Sequence, residues 1–242
     1  MNDTPPPMPA PLPIPRKPQT SPLVLESMTT APGVAATIEA LLKRPGSAVR
    51  EFADGARAVR LSRSLAAIVL GGLALFGFAA AGFSNGGQWW ATPLKMMGGL
   101  AISTVICLPS LYIFACLSGL EITFRTAMGL LLTALGLTGL LLAGFTPVVW
   151  VFSQSTGSLA FLGFILLTGW LVALLFGMRL LLAGARALGM KDALHLRIWL
   201  GMFVLVTLQM TCALRPLLGK ADTFLPTEKK FFLQHWAEQV NN

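Results

Sequence analysis

The stretch 65–83 reads LAAIVLGGLALFGFAAAGF and contains no charged residue. A helix of this length spans about 30 Å, which is the thickness of the hydrocarbon core of a bilayer. Four further apolar stretches follow it, separated by short polar breaks, at about 94–117, 126–152, 159–183 and 198–214. The sequence therefore predicts an all-α fold, a polytopic transmembrane helix bundle with five spans that occupies residues 64–215.

The composition indicates the same class of protein. Of 242 residues, 55% are hydrophobic and 12% are charged, about half the charged fraction of a soluble domain. The formal net charge is +8. On a membrane protein such charge indicates orientation and contact with anionic lipid. No basic stretch is interleaved with exposed aromatic residues, so we expect membrane lipids and no nucleic acid among the partners.

The lysines and arginines are distributed unequally around the five predicted spans. One side of the membrane receives Arg16, Lys17, Lys43, Arg44, Arg50, Arg57, Arg60, Arg63, Arg125, Arg179, Arg186, Lys191 and Arg197. The other side receives Lys95, Arg215, Lys220, Lys229 and Lys230. Because cytoplasmic segments carry the excess of positive charge, we expect a cytoplasmic N-terminus and an extracytoplasmic C-terminus, in a plasma or inner membrane.

The N-terminal region divides into an arm and two short helices. Residues 1–32 contain most of the prolines, which favours a disordered arm with polyproline-II bias. Residues 33–63 predict amphipathic helices at about 34–43 and 47–60. The second carries Arg50, Arg57 and Arg60, the candidate contacts to lipid or to a protein partner. Two placements stay open for these helices, the headgroup layer and packing onto the loops of the bundle.

The C-terminal tail, residues 216–242, predicts one further amphipathic helix. Phe232 and Trp236 share a face with Leu233 and Val240. Aromatic side chains are enriched at binding hot spots, so Phe232 and Trp236 are candidate contacts to an unidentified protein partner. The alternative is an interfacial helix that folds back on the bundle. A homo-oligomer also stays open.

The run IEALLKRP at 38–45, followed by Phe52, resembles the pattern that precedes the membrane domain in the Yip family of Rab/Ypt-interacting proteins and its prokaryotic relatives. The resemblance covers about 39–214, mostly as topology. It implies a cytoplasmic N-terminal region, a compact five-span domain and a short tail on the far side. It also implies a non-enzymatic integral membrane protein that acts in membrane organisation or as a partner in a complex.

The spans contain few groups capable of chemistry. Glu121 and Arg125 are four residues apart and would pair across one helical turn. Gln209 lies inside the fifth predicted span, where its amide needs a hydrogen bond to another helix. The sequence contains no CxxC, HExxH or phosphate-binding loop, and His195 and His235 fall on opposite sides of the membrane. We therefore expect no enzyme activity, catalytic residue, cofactor or metal.

Two functions remain open on this reading. The preferred one is a non-catalytic membrane scaffold or complex subunit. The alternative is a small-solute or lipid transport component that uses the kinks at Pro109 and Pro147 as hinges. A carrier needs a polar cavity at mid-membrane, lined by residues such as Ser103, Thr133 and Gln209, whereas a scaffold needs none.

Overall fold

A computed structural model of the chain describes residues 23–28, 31–82 and 90–213. All regular secondary structure in these ranges is helical. The elements are α1 (Val34–Lys43), α2 (Pro45–Asp54), α3 (Ala58–Ala81), α4 (Ala91–Leu117), α5 (Phe124–Ser155), α6 (Leu159–Ala187) and α7 (Leu194–Ala213). The predicted all-α class is confirmed.

Four of the described helices, α3, α4, α5 and α6, are long and apolar enough to cross a membrane. Helices α4, α5 and α6 contain the second, third and fourth predicted spans and extend beyond them. Helix α3 begins before the first predicted span and ends two residues before its predicted end at residue 83. The apolar part of α7 within the described residues, Leu194–Met210, is shorter. The structure is thus that of a polytopic membrane protein.

Helix α5 occupies the centre of the bundle. It packs along α3 on one side and α6 on the other, while α4 packs against α3 and α7. The contact between α3 and α5 is close because glycines meet there: a Cβ on Gly72 would overlap the backbone of Gly139. Small residues let membrane helices approach to backbone contact, where van der Waals packing holds them together.

Helix α2 ends earlier than the predicted helix at 47–60. Gly55 adopts a left-handed conformation, with φ of 81°, and its amide bonds the carbonyl of Glu51 at 2.9 Å. Glycine is the residue that takes this conformation without strain, so it terminates the helix. As a result Arg50 lies on α2, whereas Arg57 and Arg60 belong to the start of α3.

The two short helices pack on the bundle. Phe52, which is 1% exposed, lies against Gly129 of α5, and Val49 lies beside Gly184 of α6. Leu41 of α1 is also buried, in a cluster with residues of α3. The buried residues of both helices thus pack on helices of the bundle, whereas Val34 and Leu42 of α1 stay exposed.

The segment before α1 contributes to the same cluster. Met28 is 8% exposed, and its N–H donates to Oε1 of Glu51 on α2 at 3.1 Å. The predicted disordered arm therefore does not extend to residue 32, because Met28 and Pro32 are buried. The apolar Met28 side chain gains more from the cluster with Phe52 than from water.

Candidate functional site

Helix α5 is longer than a bilayer requires. Its 32 residues measure about 48 Å, against about 30 Å of hydrocarbon. At one end α3 and α5 finish together, since Gln154 Nε2 donates to the carbonyl of Gly82 at 3.5 Å. The excess length therefore lies at the other end, where α1 and α2 pack. We call that end the basic end, and the opposite one the far end.

The register between helices shows which residues share a level at the basic end. Helices α3 and α5 run parallel, with Leu65 beside Gly136, and α6 runs antiparallel to α5, with Gly177 beside Ala134. Counting from these contacts at 1.5 Å per residue places residue 63 of α3 level with residue 134 of α5, and residue 179 of α6 level with residue 132, so the two differ by about 3 Å along the bundle.

Two arginines, Arg63 and Arg179, lie at or near the level of residue 134. Both are exposed, and neither has an acidic partner within 4 Å among the described residues. From this level to the end of α5 at Ser155 is about 32 Å, one hydrocarbon thickness. Arginines at the ends of spans direct their guanidinium groups to the headgroups, so this level fits the edge of the membrane.

The basic end carries most of the charge in the described chain. Its salt bridges are Lys43–Glu39 at 2.9 Å, Arg44–Glu26 at 3.5 Å, Arg50–Asp54 at 3.1 Å and Arg57–Glu51 at 3.7 Å. His195 Nδ1 also lies 3.4 Å from the Asp192 carboxylate. The hydrogen bond from Lys43, together with its charge, lowers the pKa of the Glu39 carboxyl. At the far end, the basic residue within the described ranges is Lys95, which is buried.

The candidate contact residues Arg50, Arg57 and Arg60 are separated by the turn at Gly55. Arg50 is half exposed and forms an ion pair with Asp54. Arg57 and Arg60 instead join Arg63 in lining a groove of about 410 Å³ at the start of α3. The structure therefore brings two of the three candidates together and adds an arginine that was predicted only as a flanking charge. The aromatic candidates Phe232 and Trp236 lie outside the described residues.

The expected pairing of Glu121 with Arg125 is not found in the described part of the chain. Glu121 lies three residues before α5 begins at Phe124, so no helical turn connects the two side chains. Both are exposed. The guanidinium of Arg125 lies beside Gly55, which joins the start of α5 to the turn between α2 and α3.

The interhelical polar contact also differs from the expected one. Gln209 Oε1 is buried and accepts no hydrogen bond from the described residues. Trp199 of α7 instead donates from Nε1 to Ser110 Oγ of α4 at 2.9 Å, and Ser110 Oγ donates to the Cys107 carbonyl at 2.8 Å. A buried indole N–H needs an acceptor, and this need was the sequence signal that could have identified the pair.

Two hydroxyl groups that the sequence suggested as a cavity lining bond within their own helices. Ser103 Oγ donates to the Gly99 carbonyl at 2.8 Å, and Thr133 Oγ1 donates to the Gly129 carbonyl at 2.7 Å. Both side chains are fully buried. Bonds of this type satisfy a hydroxyl without water or ligand, so these two positions do not form a polar lining.

Among the described residues, no group of three His, Cys, Asp or Glu side chains could hold a metal ion. Comparisons with protein-family models, with curated proteins and with solved structures find no match. The arrangement at the basic end is therefore interpreted from its own geometry: a packed pair of short helices, an excess of cations and a groove lined by arginines.

Proposed function

We propose that this chain is a non-catalytic integral membrane protein of Yip-like architecture that acts as a scaffold or complex subunit. The observation that carries the proposal is the bonding of Ser103 and Thr133, two of the three residues named above as the lining of a carrier's cavity. Their hydroxyls are buried and turned to carbonyls of their own helices. A transport path needs polar groups that are available to a solute, and these are not.

The two surface cavities described for the chain support the same proposal. One of about 300 Å³ lies between the segment at 23–28 and helices α1 and α2. The other is the groove of about 410 Å³ at the start of α3. Both belong to the basic end, where the short helices and the arginines offer a surface to a partner.

Helix α7 supplies the fifth span in this proposal. Its 20 residues measure about 30 Å, one hydrocarbon thickness, and it packs along α4. An odd number of spans places the termini on opposite sides. The basic end then faces the cytoplasm, because lysines and arginines are retained there, and the C-terminal tail is extracytoplasmic.

Co-purification from native membranes tests whether the chain is part of a complex. The variants are a deletion of residues 1–22 and the double substitution Phe232→Ala with Trp236→Ala, each at matched expression. The deletion stops at residue 22 because Met28 belongs to the core of the short helices. The matched control is Trp150→Ala with Phe164→Ala, which removes exposed aromatics from the spans instead.

We expect at least one partner to be lost from the terminal variants and retained by the span control. If the partner is lost from the span control alone, the interaction surface lies on the lipid-facing side of the bundle. Recovery of no partner above an unrelated five-span protein would contradict the assignment as a complex subunit.

A further inference from the structure

The groove at the start of α3 is lined by Ala56, Arg57, Val59, Arg60 and Arg63. The three arginines are spaced by three residues, so they follow one face of the first two turns of the helix. Arg57 is 3.7 Å from Glu51, but Oε1 of that carboxylate also accepts the N–H of Met28. Arg60 and Arg63 have no ion pair among the described residues. The groove thus contains three arginines, and one carboxylate, that of Glu51, lies close to them.

The position of these arginines at the start of a helix adds a second unfavourable interaction to their mutual repulsion. The first turn of α3 contains no acidic residue, and its N-cap, Arg57, makes no side-chain capping bond. The start of a helix carries a partial positive charge from the peptide dipoles. Cations there are unfavourable, and an anion in the groove would relieve both the dipole and the arginines.

The depth of the groove indicates which anion reaches it. Arg63 lies at the level that fits the edge of the hydrocarbon. Arg60 lies about 4.5 Å and Arg57 about 9 Å further out along α3. The lipid headgroups begin directly outside the hydrocarbon, and this is the layer that the three guanidinium groups occupy.

We propose that the groove binds the phosphate of an anionic membrane lipid, with Arg60 and Arg63 donating to the phosphate oxygens and Arg57 closing the outer side. The planar guanidinium fork matches phosphate geometry and keeps its charge at every physiological pH. The proposal rests on the membrane placement given above. It narrows the expected contact with membrane lipids to one groove and one chemical group, the phosphate.

The test uses the purified full-length protein in detergent micelles, titrated with phosphatidylglycerol, phosphatidylcholine or soluble glycerol 3-phosphate. Native mass spectrometry reports the bound lipid, and tryptophan fluorescence reports the melting temperature. We expect phosphatidylglycerol to bind more tightly than phosphatidylcholine. Arg60→Gln with Arg63→Gln should weaken that preference by about tenfold, as the loss of charge-assisted hydrogen bonds to phosphate predicts.

The matched control is Arg186→Gln with Arg197→Gln, which removes the same charge from exposed positions at the basic end outside the groove. Neither arginine forms an ion pair with another described residue. It should change the affinity less than twofold. If the groove variant does not fold, Val59→Glu replaces it, because Val59 is 67% exposed and the new carboxylate repels phosphate. That variant should lose the lipid by a similar factor.

Three outcomes would overturn the proposal: equal losses in the groove variant and the control, equal affinity for the two lipids, or equal protection by glycerol 3-phosphate. Equal losses indicate a general attraction of anionic lipid to the basic end. Equal affinity for the two lipids indicates no selectivity for anionic lipid, and equal protection by glycerol 3-phosphate indicates a site for a soluble phosphate. Failure here leaves the co-purification result unaffected, so the lipid site and the scaffold function are tested separately.

Discussion

The contact between Phe52 and Gly129 decides whether α2 stays attached to the bundle. A Cβ on Gly129 would overlap both the ring and the Cβ of Phe52, so rotating the ring does not relieve the overlap and α2 itself must move. Overpacking of this kind costs about 1–3 kcal/mol, while alanine gains about 1 kcal/mol over glycine in a helix. We expect Gly129→Ala to destabilise the protein by up to about 2 kcal/mol.

Gly144→Ala is the matched control on the same helix. Nothing lies within 4 Å of a Cβ at Gly144, so only the propensity gain of up to about 1 kcal/mol remains. The two substitutions should therefore shift the melting temperature in opposite directions, measured by tryptophan fluorescence in detergent. Gly129→Ala should also accelerate tryptic cleavage at Arg57, because a displaced α2 exposes the turn that follows it.

Phe52→Ala completes a double-mutant cycle. Truncating a buried phenylalanine costs about 3–5 kcal/mol. Both substitutions act by detaching α2, so the double variant should be less destabilised than the sum of the two by about 1–3 kcal/mol. Additive losses, or a fall in the melting temperature with Gly144→Ala as large as that with Gly129→Ala, would refute the docking contact as the cause.

Three further predictions concern α7 and the topology. Reporter fusions at Lys191 and Asn242 should report opposite sides of the membrane, with Lys191 cytoplasmic; signals from one side would contradict the fifth span. Ser110→Ala should lower the melting temperature by the equivalent of about 0.6–1.7 kcal/mol, the range for interhelical bonds in membranes, and should have no further effect when Trp199 is already Phe. Gln209→Leu should not lower the melting temperature, because the oxygen it removes is buried and has no partner in the part of the chain that the structure describes. A clear fall would show that Gln209 bonds another segment.

The sequence predicted the helices well where hydrophobicity alone determines them. The first short helix agrees with the structure at both ends, 34–43. The first four of the five predicted spans coincide with helices long and apolar enough to cross a membrane. The break in the second short helix was readable but missed: Asp54-Gly55 is a usual helix-ending pair, and Gly55 takes the left-handed conformation. The arginines at 57 and 60 were consequently assigned to the wrong helix.

The remaining differences arise from contacts between residues distant in the chain. The second predicted span is recognised to contain Ser110 and the fifth to contain Trp199 and Gln209, but which of these side chains meets a partner depends on how α7 rotates against α4. The groove at Arg60 likewise needs the register between α3, α5 and α6 before its depth is known. Periodicity within one helix contains no information on either relation.

The docking of α2 on α5 has a consequence for biosynthesis. Gly129 follows Phe52 by 77 residues in the sequence, so at 5–20 residues per second the ribosome needs about 4 to 15 s to make the surface that α2 will cover. During that time α1 and α2 exist as amphipathic helices with their apolar faces open. Beside a translocating ribosome the nearest apolar phase is the membrane surface, where such helices bind. With the N-terminus cytoplasmic as proposed, we expect the nascent chain to bind the membrane surface first and to leave it when α5 has been made.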